Sequence, residues 1–217
     1  MVVCLCALPL VLDGLGDVAG AERAAADLVV HARSLGRSFD LAFALTWHAL
    51  RDVLNRNYAS ALPHSQEALR ICQDNFYDTY TALASVVNAA CAGQLGDTAA
   101  AVAFVMRTLK DIERLGILHL MGLVYGELAA LHDLAGDSAS ALSAIDEAIT
   151  RAVVSGDDML LSYLHLRRGE ILSKLPGADP ETADAAFREA VAVAEAQGGP
   201  SFAAKARGRL MAVARQA

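Results

Sequence analysis

The chain has 217 residues, with 18 basic and 25 acidic side chains and a formal net charge of -7. This acidic balance repels a phosphate backbone and argues against direct binding of nucleic acid. The mean hydropathy of +0.36 comes largely from alanine, and no uninterrupted run of 18 apolar residues is present, so a cytoplasmic chain without membrane contact is predicted.

The first predicted helix, residues 2–14, is apolar around nearly its whole circumference. The run from Val2 to Leu12 could pass for the core of an export signal, but no basic residue precedes it, so a buried repeat helix is the preferred interpretation. One side of this helix should pack on the next helix. The other should remain an exposed apolar patch, where an upstream repeat, an ATPase module or a second copy docks.

A turn recurs through the chain with a period of 40 residues. It reads Gly16-Asp17, Arg56-Asn57, Gly96-Asp97 and Gly136-Asp137, and an alanine follows the second residue four positions later, at Ala21, Ala61, Ala101 and Ala141. A fifth alanine, Ala183, fits if the last turn carries two extra residues. Glycine ends a helix in the left-handed conformation and Asp or Asn caps the next, so each turn predicts a helix boundary.

Three further columns keep the same register. Small residues recur at Ala49, Ala89, Ala129 and Gly169; aliphatic residues recur at Val29, Leu69, Leu109, Ile149 and Val191; and a second turn carries Gly36, Gly116, Gly156 and Gly198, with Asn75-Phe76 in the second repeat. The small columns should allow close helix contacts, and the aliphatic column should fill the space between pairs. Predicted helix pairs are 2–14/18–35, 38–55/58–74, 78–95/98–115, 118–135/138–155 and 158–175/181–197, with a final helix at 201–215.

These spacings resemble the tetratricopeptide (TPR) motif, in which small residues occupy fixed positions on both helices of a pair. The resemblance implies an all-α, right-handed superhelix, a solenoid of about five TPR-like antiparallel helix pairs plus a C-terminal capping helix. The chain is interpreted as one repeat domain, 1–217, with pairs at about 1–36, 37–76, 77–116, 117–156 and 157–199 and the capping helix at 201–215. The period of 40 exceeds the 34 residues usual for the family, so each helix is longer.

The longer repeat indicates a subclass. Residues 164–172, 177–180 and 186–190 resemble the end of the MalT-type arrays at the C-terminus of bacterial signal-transduction (STAND) ATPases, which serve transcriptional regulators or adenylate cyclases. The resemblance implies a regulatory partner module. No GxxxxGK[ST] phosphate loop is present, since Lys110, Lys174 and Lys205 all lack the preceding glycine. On this interpretation the chain carries only the repeat array and neither binds nor hydrolyses ATP, and an NTPase module is expected upstream, in cis or in trans.

The inner face of such a superhelix is formed by the first helix of each pair. From the small column, the predicted groove for a partner or ligand consists of Phe43, Trp47, Leu50, Leu83, Glu127, Tyr163, Arg167 and Glu170. Aromatic residues and Arg are common binding anchors, whereas the aliphatic members could equally pack against the neighbouring repeat. Arg167 is the clear basic residue on this face. The carboxylate clamp that some family members use needs a cluster of Lys, Arg and Asn, so that role is not expected here.

No catalytic, cofactor or metal site is predicted. His48 lies one turn from Asp52, and His132 is next to Asp133, so either histidine could be a base oriented by a carboxylate, but no nucleophile is evidently placed beside them. The cysteines, Cys4, Cys6, Cys72 and Cys91, form neither a CxxC pair nor zinc-finger spacing. Two functions remain: a non-catalytic scaffold that binds a protein or peptide segment, and a sensor whose concave face holds a small-molecule or peptide inducer.

Overall fold

The computed structural model describes residues 2–118 and 121–213 of the chain. The described residues form helices, without a strand among them. The α-helices are α1 (Val2–Leu5), α2 (Ala7–Leu15), α3 (Val18–Ser34), α4 (Ser38–Leu54), α5 (Tyr58–Asp74), α6 (Asp78–Gln94), α7 (Thr98–Leu115), α8 (Met121–Leu134), α9 (Ser138–Ser155), α10 (Leu161–Lys174), α11 (Pro180–Ala196) and α12 (Pro200–Val213). A short 3-10 helix, Asp158–Leu160, precedes α10.

The all-α fold of antiparallel helix pairs is confirmed, and most helices begin and end within one or two residues of the predicted bounds. The helices form two compact units. The first extends to Ile117 and holds α1 to α7, and the second begins at Leu118 and holds α8 to α12. Within each unit, helices that follow one another in the chain pack together. None of the helices among residues 2–118 and 121–213 combines the length and the apolar character that crossing a membrane requires.

The repeated turns end and begin helices as predicted. Gly116 and Gly156 adopt left-handed φ angles of 69° at the ends of α7 and α9. The Asp17 carboxylate accepts a hydrogen bond of 2.8 Å from Gly20 N at the start of α3. A Cβ on Gly20 would lie 2.0 Å from Asp17 Oδ2, so a larger residue here would displace the Asp17 carboxylate from its present position. The turns thus define the repeat through backbone conformations and caps that their residues favour.

The predicted helix at 2–14 is instead broken at Cys6, which separates α1 from α2. Proline has no N–H and its ring clashes with the preceding turn inside a helix. The break places Pro9 in the first turn of α2, where a backbone N–H would have no acceptor within the helix. A second difference concerns α10, which starts at Leu161 rather than at 158 because a 3-10 turn precedes it. Residues 119–120 and 214–215 of the predicted helices lie outside the described residues.

The core consists mainly of the predicted small columns. Ala49, Ala89, Ala129 and Gly169 are buried on the first helices, and Ala21, Ala61, Ala101, Ala141 and Ala183 are buried on the second. The aliphatic column departs from the expectation. Only Val29 is buried, whereas Leu69, Leu109, Ile149 and Val191 are half-buried. The residues one position earlier, Leu28, Ala68, Ala148 and Ala190, are buried, so the buried face of these helices is centred one residue before the aliphatic column.

The apolar face predicted at the N-terminal helices is present. Leu5, Leu8, Val11 and Leu15 are all exposed, with Val11 at 55%, while Val2, Cys6 and Pro9 of the same segment are buried. Leu8, Val11 and Leu15 follow a three- to four-residue spacing on α2 and therefore form one stripe, and Leu5 at the end of α1 is also exposed. That another module or a second copy docks on this stripe stays a prediction.

Candidate functional site

The predicted groove residues lie on the first helices of their pairs, four in each unit. In the first unit, Phe43, Trp47 and Leu50 are on α4 and Leu83 is on α6. Phe43, Leu50 and Leu83 are buried, and Trp47 is half-buried. Phe43 belongs to the hydrophobic core of this unit. The accessible aromatic surface lies on either side of Phe43.

An aromatic cluster joins α4 to the neighbouring first helix of this unit. Phe39 lies edge-on to Tyr77 and Tyr80, with ring centroids 5.4 and 5.1 Å apart, and Phe43 lies 5.2 Å from Tyr80. Trp47 continues the row at 6.0 Å from Phe43. The four-residue spacing of Phe39, Phe43 and Trp47 places them on one stripe of α4. Sequence reasoning included Phe43 and Trp47 but missed Phe39 and both tyrosines, although the same spacing would have shown Phe39.

Two members of the aromatic cluster, at its two ends, have features that a bound partner could use. Phe39 is 36% exposed at one end of the row. At the other end, Trp47 Nε1 is a buried donor with no hydrogen-bond partner among the described residues. An unpartnered buried N–H is unfavourable by about 1–3 kcal/mol, so a small movement that offers this indole an acceptor would be stabilising. The cluster therefore combines an apolar surface with one unused donor.

In the second unit, the predicted groove residues join into one polar network. Tyr163 Oη donates to Glu127 Oε1 at 3.2 Å, and Arg167 Nε donates to Tyr163 Oη at 3.0 Å. The Arg167 guanidinium also lies over the Tyr163 ring, 5.3 Å from its centroid. Glu170 lies 3.8 Å from Arg167 Nη1 and 3.1 Å from Arg209 Nε. Carboxylates at both ends hold the cationic and phenolic groups between them, which fixes the side chains of α8 and α10.

This network is largely removed from water. Glu127 is 1% exposed, and Arg167 and Glu170 are each 8% exposed. Arg209 links the network to α12. Periodicity could place each residue on its helix face, but it carries no information on which charged side chains from three helices would meet. The network is therefore a convergent polar site whose members were predicted separately.

A second buried network was not predicted. Arg51 is 2% exposed and donates from Nε to Asp13 Oδ2 at 2.8 Å and from Nη2 to Asp13 Oδ1 at 3.2 Å. Its Nη1 donates to Glu22 and, at 3.2 Å, to Asp52 Oδ1. Asn55 Nδ2 donates to the same Asp13 carboxylate at 2.9 Å. One guanidinium thus joins carboxylates from α2, α3 and α4, a geometry that suits the planar fork of arginine.

The two histidine–aspartate pairs raised by the sequence take different arrangements. His132 Nδ1 lies 3.7 Å from Asp137 Oδ2, while Asp133 pairs with Lys174 at 2.6 Å. His48 Nε2 lies 4.0 Å from Asp52 Oδ2, which exceeds a hydrogen bond, and its ring stacks on His64 at 4.1 Å. Burial and the His64 ring lower the pKa of His48 from 6.5 to about 4. In these geometries neither histidine donates the hydrogen bond to a carboxylate that would orient a general base.

Among the described residues, His48, Asp52 and His64 are also the group of three whose side chains could hold a metal ion. Their potential ligand atoms lie within 4.8 Å of one another. Burial raises the pKa of Asp52, against the lowering effects of a hydrogen bond with Ser60 and of the Arg51 charge. The cluster occupies α4 and α5, directly beside Trp47 in the sequence.

No protein-family model matches the sequence, and a search of curated proteins also finds no match. Among solved structures, the fold is similar to PlcR of Bacillus thuringiensis in a complex with the peptide PapR7 and DNA, with a TM-score of 0.72 and 13% sequence identity. The match covers 94% of this chain and 73% of the PlcR chain. At this identity the similarity establishes the fold, a helical repeat of the TPR type.

Proposed function

We propose that the chain is a non-catalytic TPR-type regulatory module that binds a peptide or an extended protein segment through the first helices of its pairs. The aromatic row on α4 carries the proposal. Phe39, Phe43 and Trp47 extend over two helical turns, and Tyr77 and Tyr80 widen the row toward α6. Aromatic rings give a large contact area for little lost side-chain entropy, which makes them frequent anchors in peptide recognition.

The structural comparison supports a peptide as the partner. PlcR, whose fold this chain shares, is described in complex with the peptide PapR7. That complex also contains DNA, but we leave DNA out of the proposal for this chain. Its net charge of -7 repels a polyphosphate, and the Arg167 and Arg51 guanidiniums are buried in ion pairs with carboxylates. A salt-dependent mobility shift of random duplex DNA by the purified chain would contradict this exclusion.

We further propose the cellular setting that the MalT-type resemblance of residues 164–190 implies. In it, the module is the C-terminal sensor or scaffold part of a bacterial STAND-type ATPase system and works in the cytoplasm. Peptide binding would then change the contact between this module and its NTPase partner. The setting predicts an NTPase gene beside this one, and a pull-down with its product, made with and without the bound peptide, tests the setting. No interaction in either condition would contradict it.

The peptide proposal can be tested with the chain's single tryptophan, Trp47. A library of short random peptides displayed on phage is selected against the purified chain, and the enriched peptides are titrated while tryptophan emission is recorded. We expect a saturable change in Trp47 emission, because a bound segment would alter the polarity around the indole. Selection that enriches no peptide, or peptides that bind without changing the emission, would argue against this face.

Matched variants locate the binding face. Phe39 is 36% exposed on a first helix, whereas Phe104 is 37% exposed on α7, a second helix. We expect Phe39→Ser to weaken peptide binding by about 10-fold or more, as the loss of an anchor residue costs over 1 kcal/mol. Phe104→Ser should bind as the unmodified chain does. Equal losses in both variants would indicate a general effect on folding or a different face.

A small-molecule inducer remains the second candidate, and the buried network of Glu127, Tyr163, Arg167 and Glu170 favours it. Convergent polar groups on first helices are typical of a site that orients a small ligand. A thermal-shift screen of a metabolite panel tests this function. A small molecule that binds this network should raise the melting temperature of the unmodified chain but not that of Arg167→Gln.

A further inference from the structure

The second helix pair contains a cluster of two imidazoles and one carboxylate that the repeat itself does not need. His48 and Asp52 lie one turn apart on α4, and His64 on α5 stacks on His48 with ring centroids 4.1 Å apart. One repeat later the positions of His48 and Asp52 are held by Asn88 and Ala92. Since the third pair folds without these groups, their presence in the second pair calls for another reason.

The cluster contains several buried nitrogen and oxygen atoms that could ligate a metal and have no hydrogen-bond partner among the described residues. His48 is 6% exposed and Asp52 is 1% exposed. Both ring nitrogens of His48, Asp52 Oδ2 and His64 Nδ1 are buried without a hydrogen-bond partner among the described residues. Buried polar atoms are satisfied in the great majority of cases, and each exception is unfavourable by about 1–3 kcal/mol. Several exceptions within one cluster indicate that a group able to bond one atom from each of the three side chains belongs there.

The second oxygen of the carboxylate is already held in place. Asp52 Oδ1 accepts from Arg51 Nη1 at 3.2 Å, so Oδ2 is left toward the histidines. Such outer contacts orient ligating groups in metal sites. Arg51 is itself bonded to Asp13 and Glu22 as well as Asp52, so three carboxylates surround one guanidinium. A divalent cation would offset this excess of negative charge.

The donor chemistry selects the ion. Two imidazole nitrogens and one carboxylate oxygen suit Zn²⁺, which binds four ligands at about 2.0–2.2 Å. Such bonds place the ligand atoms closer together than the 4.8 Å within which they now lie, so binding requires a contraction. His64 is only half-buried and can supply this movement by a side-chain rotation. Zinc takes the neutral imidazole as a ligand and bonds the lone pair of one ring nitrogen.

We propose that His48, Asp52 and His64 bind one zinc ion, with a water molecule as the fourth ligand, and that this ion fastens α4 to α5. The inference does not depend on peptide binding. The site would stabilise the second helix pair, because an ion that binds the folded state alone raises its stability.

The experiment uses the full chain, freed of metal with a chelator and dialysed, then titrated with zinc chloride by calorimetry. We expect one zinc ion per chain and a higher melting temperature with zinc. His64→Ala is the main variant because His64 is half-buried and its loss should leave the fold intact, which circular dichroism checks. It should weaken zinc binding by about 100-fold or more, since outer-sphere partners alone account for 10- to 100-fold. The matched control is His165→Ala, another half-buried histidine, in the second unit, which should bind zinc unchanged.

Cobalt substitution distinguishes this site from ligation by the cysteines. Co²⁺ bound by two histidines and a carboxylate should give visible ligand-field bands without a thiolate charge-transfer band in the near ultraviolet. The bands should disappear in His64→Ala and in Asp52→Asn. The proposal is overturned if the chain binds no zinc, if both variants bind it as well as the unmodified chain, or if the cobalt spectrum shows thiolate ligation.

Discussion

Gly169 on α10 lies directly against the ring of Phe187 on α11. A Cβ built on Gly169 would come within 2.5 Å of Phe187 Cε1, closer than real contacts allow. Phe187 is 1% exposed and belongs to the small hydrophobic cluster formed with Leu172, Ala183 and Ala186. The small column therefore ends in a glycine because the fifth pair buries an aromatic ring where the second, third and fourth pairs have the smaller side chains of Ser65, Val105 and Ile145.

Gly169→Ala should destabilise the fold by about 1–3 kcal/mol, because the added methyl group must displace a buried ring. Alanine favours a helix over glycine by about 1 kcal/mol, which offsets part of the loss. Gly208→Ala on α12 is the matched control, since a Cβ there meets nothing within 4 Å, and it should be neutral or stabilising. Urea denaturation of both variants decides the point. An equal rise in both midpoints would mean that Phe187 yields without cost.

Phe76→Gly should stabilise the chain by about 0.5–1 kcal/mol. Phe76 has φ 57°, a left-handed conformation that costs non-glycine residues about 1–2 kcal/mol, and the greater freedom of glycine in the unfolded state offsets part of the gain. The side chain is 86% exposed, so its removal loses little packing. Phe76→Leu keeps the conformation and should leave the denaturation midpoint unchanged. Stabilisation by leucine as well would assign the effect to the exposed ring instead.

Arg51→Met should destabilise the first unit by about 3–5 kcal/mol, because it leaves the buried carboxylates of Asp13 and Asp52 without their cation. The control is Arg33→Met. Arg33 pairs with Glu67 at 2.6 Å, but its side chain is 52% exposed, so its loss should cost at most about 1 kcal/mol. Chemical denaturation followed by circular dichroism measures both values. Similar small losses in the two variants would contradict a large contribution of Arg51 to the buried network.

His165 should make the folded state lose stability in mild acid. Burial lowers its pKa from 6.5, with Glu189 acting to raise it and Arg168 to lower it. The unfolded chain then binds more protons, so this histidine removes stability as the pH falls below about 6.5, down to its folded pKa. His165→Gln should lose less stability than the unmodified chain between about pH 7.5 and about pH 5. Parallel losses would exclude this residue as the cause.

The fold could be predicted well because its signals are local. A glycine followed by Asp or Asn sets a helix end and a helix start, and alanines at a fixed period mark the close contacts, so the turns and the small columns could be placed from sequence. The break at Cys6 also has a local cause in Pro9, which the apolar run concealed. The aliphatic column was placed too deep, because periodicity gives a helix face but not how near the next helix approaches.

The sites were less predictable for a physical reason. Tyr163 and Arg167 could be assigned to a helix face, but their meeting with Glu127 depends on the packing of α8 on the following helices. His48 and Asp52 were visible as a pair, whereas His64, 12 residues further along, is brought to them only by the antiparallel pairing of α4 and α5. The burial of Arg51 could not be predicted from the sequence, since arginine is usually exposed unless its charge is paired.

The Arg51 network also fixes the order of the repeats. One, two and three periods after Arg51 the chain has Cys91, Leu131 and Ile171, so only the second pair presents a cation at this position. Its main acceptor, Asp13, lies on the preceding first helix, where the next pair has Val53 instead. A chimera that exchanged the second and third pairs would bury a guanidinium against an apolar helix. The pairs are thus alike in backbone but not interchangeable, because the ion pair between Arg51 and Asp13 joins the second pair specifically to the first.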